Sequence, residues 1–187
     1  MGLNNILIQR QKRKRFNIIT GNAELNHIID RLPADGECFK FISQGGFSSI
    51  CFVCFVANRT TIKNLYVSSF RVGKKESQIL HHLQNKGLIH HCEFVLNPFE
   101  QDTKNQNQAF NTLNQVANSN GWKIDASNNH SKVHLYDTDQ GKFVLETSSN
   151  LNENPRIEQF SFEKDDDLFE FYAKNIFGVT SKVADNI

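Results

Sequence analysis

The chain contains no run of 18 or more apolar residues, so it offers no segment of the length and hydrophobicity that crosses a bilayer as a helix. Its first residues, MGLNNILIQRQKRKRF, put a short apolar run ahead of a basic cluster, the reverse of a secretory signal peptide. Cysteine is sparse, with Cys38, Cys51, Cys54 and Cys92 only. Cys51 and Cys54 form one CxxC inside the apolar stretch SSICFVCFVAN. No second CxxC completes a zinc set, so a buried structural pair is expected. Reduced thiols and a cytoplasmic location are the corresponding expectation. Internal repeats and low-complexity linkers are absent. SQGGFSS lacks the Gly-Lys-Ser/Thr ending of a phosphate loop and reads as a turn with a helix cap at Ser48. The adjacent pairs His81–His82 and His90–His91 point their side chains apart on either a helix or a strand, which disfavours a metal site.

What is present suits one domain with a substantial core: 187 residues, 39% apolar, sixteen of them Phe. The net charge of +1 conceals an asymmetry. Residues 1–75 hold 12 Lys/Arg against 4 Asp/Glu, a balance of +8, and residues 76–187 hold 9 against 16, a balance of −7. Such a split suits a basic surface for an anionic partner, or two halves that attract each other. QRQKRKRF (Gln9–Phe16) reads as a basic N-terminal arm or a solvated segment. The expected organisation is a basic segment over 1–20 and one α/β domain over 21–187.

Apolar periodicity alternates between the two regular structures. NAELNHIIDRL has Leu25, Ile28, Ile29 and Leu32 at helical spacing. ECFKFIS alternates as a strand, and SSICFVCFVANR is read as a buried helix crossing over to the strand TIKNLYVSSF. GKKESQILHHLQNKGL is an amphipathic helix ending near Gly87, and HHCEFVLNP is a strand closed by Pro98. A helix NQAFNTLNQVANSNG follows, then strands WKIDAS, KVHLYD and KFVLETS, the last two joined at TDQG. EKDDDLFEFYAKNIF is the last helix, its acidic first turn suited to the helix dipole. This alternation predicts an α/β fold: a mixed, largely parallel sheet with helices on both faces. Ligands of such sheets gather at the carboxyl ends of the strands.

The stretch HSKVHLYDTDQGKFVLETSSN concentrates the chemistry. On an extended backbone His130 and Lys132 leave the same face. The hairpin that follows returns Thr147, Ser148 and Asn150 towards them. Imidazole is a nucleophile near neutral pH, with an ordinary pKa of about 6.5. Lysine, serine and asparagine are donors fitted to an oxyanion. Together they describe attack on an anionic centre whose charge is held by fixed donors, and a phosphoryl group is the natural candidate. Arg71, Lys74 and Lys75 in SSFRVGKK end a strand at the edge where ligands bind, as nucleic-acid phosphate contacts or as a solvated helix start.

His130-x-Lys132-x4-Asp137 followed by Thr-Ser148-Ser-Asn150 resembles the HKD motif of the phospholipase D superfamily, H-x-K-x4-D then G-S-x-N. The resemblance spans about Glu37 to Phe177, with motif-level similarity over roughly 30 residues. Nine residues separate Asp137 from Thr147 where the family has six, and Thr147 stands where the family has glycine. The resemblance implies a phosphohistidine mechanism in which His130 is the nucleophile. Lys132, Ser148 and Asn150 would hold the nonbridging oxygens. Glu158 would match the glutamate that follows the motif, and Asp137 would serve the site or only its hairpin. The family uses two such motifs and this chain has one, so the resemblance implies a homodimer whose active site straddles a two-fold axis. No metal and no other cofactor is implied. The main expectation is a metal-independent phosphodiesterase, a nuclease acting on nucleic acid with DNA preferred to RNA, and without a membrane partner. The alternatives are a related protein that grips nucleic acid without cutting it, and a phosphatidyltransferase or small-molecule phosphodiesterase.

Overall fold

The computed structural model describes residues 12–20, 24–97 and 104–179. Among them are eight strands: β1 (Arg13–Ile19), β2 (Glu37–Ser43), β3 (Ile62–Ser69), β4 (Ile89–Leu96), β5 (Lys123–Ala126), β6 (Val133–Thr138), β7 (Gly141–Thr147) and β8 (Glu158–Lys164). Four α-helices accompany them: α1 (Ile50–Ala57), α2 (Lys74–Asn85), α3 (Lys104–Asn120) and α4 (Asp166–Phe177). The strands form one sheet in the order β1-β2-β8-β7-β6-β3-β4-β5. Following the pairings across it, β6 and β8 run against the other six strands. The sheet is therefore mixed with one prevailing direction, as expected.

Helices cover both faces. The larger core lies under α1, α2 and α3, where Phe52, Val53, Val56, Leu80, Leu83, Leu113 and Ala117 meet Phe39, Phe41, Leu65, Phe160 and Phe162. The smaller lies under α4, where Phe169, Ala173 and Phe177 meet Tyr66, Val95, Val133, Leu135 and Val144. CFVCFV could pack as a strand on composition alone. It is a helix because β2 and β3 run the same way in one sheet, and a co-directional link needs a crossover. Apolar on most sides, α1 is buried to match. Phe52 is its anchor, with ring centroids 5.3 Å from Phe41 and from Phe160, 6.0 Å from Phe47 and 5.6 Å from Phe162.

Four local expectations are corrected. The basic arm, over Arg13–Ile19, is an edge strand paired in parallel with β2, while Gln9–Gln11 lie outside the described residues. Its charges hide the pairing, because only Ile19 of the strand is buried. The ladder and Lys12, which binds Glu163 and Asp165, hold it. Second, NAELNHIIDRL is one 3-10 turn over Leu25–His27 instead of a helix; Asn22 and Ala23 lie outside the described residues. Leu25, Ile29 and Leu32 are buried as its pattern implied. The Asp30 carbonyl is taken by the Arg59 guanidinium (3.2 Å), and Pro33 disfavours helical backbone at Leu32. Third, EQFSFEK is strand β8, absent from the sequence reading, so Glu163 and Lys164 belong to a strand and α4 begins after the Asp165 cap. Fourth, Ser49 and not Ser48 directly precedes α1, and its hydroxyl bonds the Asn150 carbonyl (3.1 Å), while the Ser48 hydroxyl, one residue earlier, accepts from the Ile50 amide at 3.4 Å as a cap does. Pro98, expected to close β4, lies outside the described residues.

The core generates two expectations. Phe52→Ala removes a fully buried ring and should lower the unfolding free energy by about 3–5 kcal/mol, read as a lower urea midpoint at unchanged slope. His134 sits on β6, fully buried, and burial depresses its pKa to about 3 from an ordinary value of 6.5. The unfolded chain therefore binds a proton that the folded chain refuses. Stability should fall as pH drops from 6.5 towards 3. His134→Leu should flatten that part of the stability-against-pH curve.

Candidate functional site

Four sheet neighbours, β8, β7, β6 and β3, bring their ends to one edge. β3 and β7 finish there, and β6 and β8 begin there. Phe70 and Arg71 follow β3; Ser148 and Asn150 follow β7; His130 and Lys132 precede β6; Glu158 opens β8. All of these residues line one cleft of ≈ 660 Å³, with Asn152, Asn154 and Arg156 on its loop side. It lies at the carboxyl edge of the six co-directional strands.

His130 and Lys132 lie just before β6, in extended chain that continues the pairing, since the Thr147 amide donates to the Lys132 carbonyl at 3.1 Å. Asn129 fixes that approach. Its side-chain oxygen accepts from the Ser131 amide (3.0 Å), and its nitrogen donates to the Ser68 hydroxyl (2.9 Å). His130 is exposed to the cleft and its ring rests on Phe70, centroids 4.9 Å apart at 46°. The Lys132 ammonium donates to the His130 carbonyl (2.9 Å) and lies 3.3 Å from Nδ1 of its ring. An ammonium at Nδ1 favours the tautomer whose proton sits on Nε2, so the ring presents a proton donor in this arrangement. Burial holds the Lys132 pKa below its usual value, against the opposing pull of Glu158.

Asn150 uses its side-chain oxygen to accept the Phe70 amide at 3.2 Å. A backbone N–H can meet only that end of the carboxamide, so the orientation is decided and the nitrogen is left as a donor. Ser148 is engaged differently. Its hydroxyl donates to the Glu158 carboxylate and accepts from the Gln159 amide at 3.0 Å. Its proton thus goes to Glu158 and not to the cleft. The buried Glu158 also accepts from the Asn154 carboxamide, so one carboxylate ties the end of β7 to the loop that enters β8. Thr147 turns its hydroxyl to the Gln159 carbonyl (2.9 Å). Gly45 packs the QGGF turn under this loop. With φ at +102° and the Pro155 carbonyl oxygen where a Cβ would be, glycine is required there.

The structure brings together His130, Lys132, Ser148, Asn150, Glu158 and Arg71. It separates the others. Asp137 lies near the far end of β6, about 17 Å along the strand from Lys132, and accepts from Asn64 at 2.9 Å. Lys74 begins α2 outside the cleft lining, and Lys75 lines a different cavity of ≈ 500 Å³ beside Cys51 and Cys54. All four cysteines are free, and burial raises the Cys54 thiol to about 11, which suits packing over reactivity. Phe70, Asn129 and Asn154 were missed in the sequence. Only the position of Phe70, directly after a strand that ends at the ligand edge, could have marked it.

No family model matches the sequence, and no curated protein does. Among solved structures, a polyphosphate kinase from Porphyromonas gingivalis is similar over 72% of this chain and 24% of its own, at 16% identity and a TM-score of 0.49. A yeast tyrosyl-DNA phosphodiesterase mutant is similar over 55% of this chain and 25% of its own, at 12% identity and a TM-score of 0.36. The chain thus spans about a quarter of the length of each.

Because Glu158 serves two donors at once, Glu158→Ala should cost about 1–3 kcal/mol in urea unfolding, through the groups left unpaired. Glu158→Gln, which keeps one acceptor oxygen, should cost less.

Proposed function

We propose that this cleft cleaves phosphodiesters of nucleic acid without a metal, through a phosphohistidine, in a site completed by a second copy of the chain. One observation carries the reading: an exposed imidazole, an ammonium, a guanidinium and an oriented carboxamide donor meet in one cleft at the carboxyl edge of the sheet. That set matches the needs of phosphoryl transfer, where positioning and charge stabilisation do most of the work.

In the proposed sequence, His130 attacks phosphorus through a ring nitrogen, forming a P–N bond as the P–O bond to the leaving group breaks. His130 of the partner subunit gives that oxygen its proton. Water, deprotonated by the same second imidazole, then attacks phosphorus and breaks the P–N bond. Lys132, Asn150 and Arg71 hold the nonbridging oxygens. The two histidines need opposite protonation states. Attack through Nε2 needs the ring proton on Nδ1, and the imidazolium that protonates the leaving group carries a proton on each nitrogen, so in both copies Lys132 must leave Nδ1 for the phosphate. Ser148 joins the donors only when its proton leaves Glu158.

A second reading is favoured by that last point. A cleft whose serine is committed to a carboxylate can bind a phosphate backbone without cutting it.

The two are told apart by cleavage of labelled DNA and RNA in excess chelator. The enzyme reading expects cutting that persists with chelator, a bell-shaped pH profile, and a loss of about 10³-fold or more in His130→Ala. Binding without cutting in both proteins supports the second reading. Loss in chelator with rescue by a divalent ion overturns the mechanism.

A further inference from the structure

The face of the sheet that carries α4 is only half covered. The core under α4 draws on β3, β4, β6 and β7. The adjoining surface of β1, β2 and β8 has no helix in that cluster, and a groove of ≈ 720 Å³ runs over it, lined among others by Lys14, Phe16, Ile18, Lys40, Ile42 and Gln159. Phe16 is 78% exposed, Ile18 64% and Ile42 52%, although their strand neighbours Ile19 and Phe41 are buried in the opposite core. A charged edge strand is a common guard against unwanted pairing, which accounts for Arg13, Lys14 and Arg15. It does not account for an exposed phenylalanine and two isoleucines on the same surface.

The strand registers order these groups. One row across the sheet reads Ile18, Ile42, Gln159, and Gln159 bonds Ser148 at the cleft. The next row reads Phe16, Lys40, Ser161, Glu146. Lys40 donates to Ser161 at 2.6 Å, Glu146 accepts from the Tyr172 hydroxyl of α4, and Glu163, in the row of Lys14, is paired with Lys12. The groove and the cleft are thus neighbours along β7 and β8. Thr147 and Gln159 line the groove, and Ser148 and Glu158 line the cleft. From β8 to β1 is two strand spacings, about 10 Å.

We infer that this open face is a binding platform for single-stranded nucleic acid, which continues from the cleft across Gln159 and Ile42, stacks a base on Phe16 and sets its phosphates on Lys40 and Lys14. The inference rests on the proposed function for its ligand class and deepens it, by naming strandedness and a second contact area. An exposed ring between ammonium groups is the combination that single strands need, a sequence-tolerant stacking surface beside a track of positive charge. A duplex keeps its bases inside its stack and cannot use the ring. A second copy of this chain fits less well. A two-fold contact sets the patch against itself, so Lys14 and Lys40 would face like charges, whereas a polyanion neutralises them.

The test measures anisotropy of a short fluorescein-labelled oligothymidylate, and of a duplex of the same length, in a His130→Ala background that prevents cutting. Phe16→Ala should weaken single-strand binding roughly 5- to 150-fold and leave duplex binding nearly unchanged. Phe16→Trp should retain binding, and because Phe16 is largely exposed neither change touches the core. Lys14→Gln with Lys40→Gln should lower the slope of log Kd against log salt by about 1.4, from two phosphates at about 0.7 each. Hydrolysis of bis(p-nitrophenyl) phosphate, too small to reach β1, should be the same in wild type and Phe16→Ala. If wild type leaves that ester intact while Phe16→Ala still loses oligothymidylate, the catalytic reading fails and the platform stands. Oligothymidylate binding that is absent in the parent or unmoved by Phe16→Ala overturns the platform. So does a dimer that Phe16→Ala dissociates in sedimentation velocity, which would make the face a contact between copies.

Discussion

The antiparallel seam in the middle of the sheet is the constraint on which the rest depends. β6 lies between β3 and β7 and runs against both. Because it is reversed, its beginning falls at the edge where its neighbours end. A co-directional β6 would have carried His130 and Lys132 to the opposite edge, a strand length from Ser148, Asn150 and Arg71. β8 repeats the device between β2 and β7 and delivers Glu158 to the same place. Two reversed strands in a sheet of prevailing direction bring separate chain segments into one cleft.

The seam is held from below by aromatic packing. Phe160 and Phe162 of β8 meet Phe47, Phe52 and Tyr136 edge-on or tilted, and Phe143 of β7 stacks on Phe162. Such pairs contribute about 0.5–1.5 kcal/mol each beyond their buried area, and they resist sliding because each ring occupies a defined slot. A register slip of one residue in β8 would turn both rings out of the core and Glu158 away from Ser148. Core geometry and site geometry are therefore one commitment.

Electrostatics then divides the cleft into two halves. One half gathers cations and a fixed donor: Lys132 with a lowered pKa, Arg71, and the Asn150 donor fixed by the Phe70 amide. The other half is organised for itself: Glu158 holds Ser148 and Asn154 and so maintains the loop. Phe70 organises the first half, since it supports the His130 ring on one side and orders Asn150 through its backbone.

Much of this was legible in residue order. Three of the four helices, and the strands ECFKFIS, TIKNLYVSSF, HHCEFVLNP, WKIDAS, KVHLYD and KFVLETS, follow from apolar period and turn residues, which are local. His130, Lys132, Ser148 and Asn150 stand out because one hairpin, itself a local structure, brings them together. Strand β1 was hidden because its charged side chains mask a pairing made by backbone alone. Strand β8 was hidden because Gln159 and Ser161 face a surface with no covering helix, so its alternation is short. The turn at Leu25–His27 was misread because Leu25, Ile29 and Leu32 are buried at helical spacing without a helical backbone, and Pro33 disfavours that backbone at Leu32. What the sequence determined by itself is the four helices, six of the eight strands and the chemical repertoire of one hairpin, since these rest on contacts among near neighbours. Only the tertiary structure decided the sheet order, the diversion of the Ser148 proton to Glu158 and the exposure of Phe16. Each of these depends on partners far apart in the chain, and no local pattern encodes which distant strand arrives beside which.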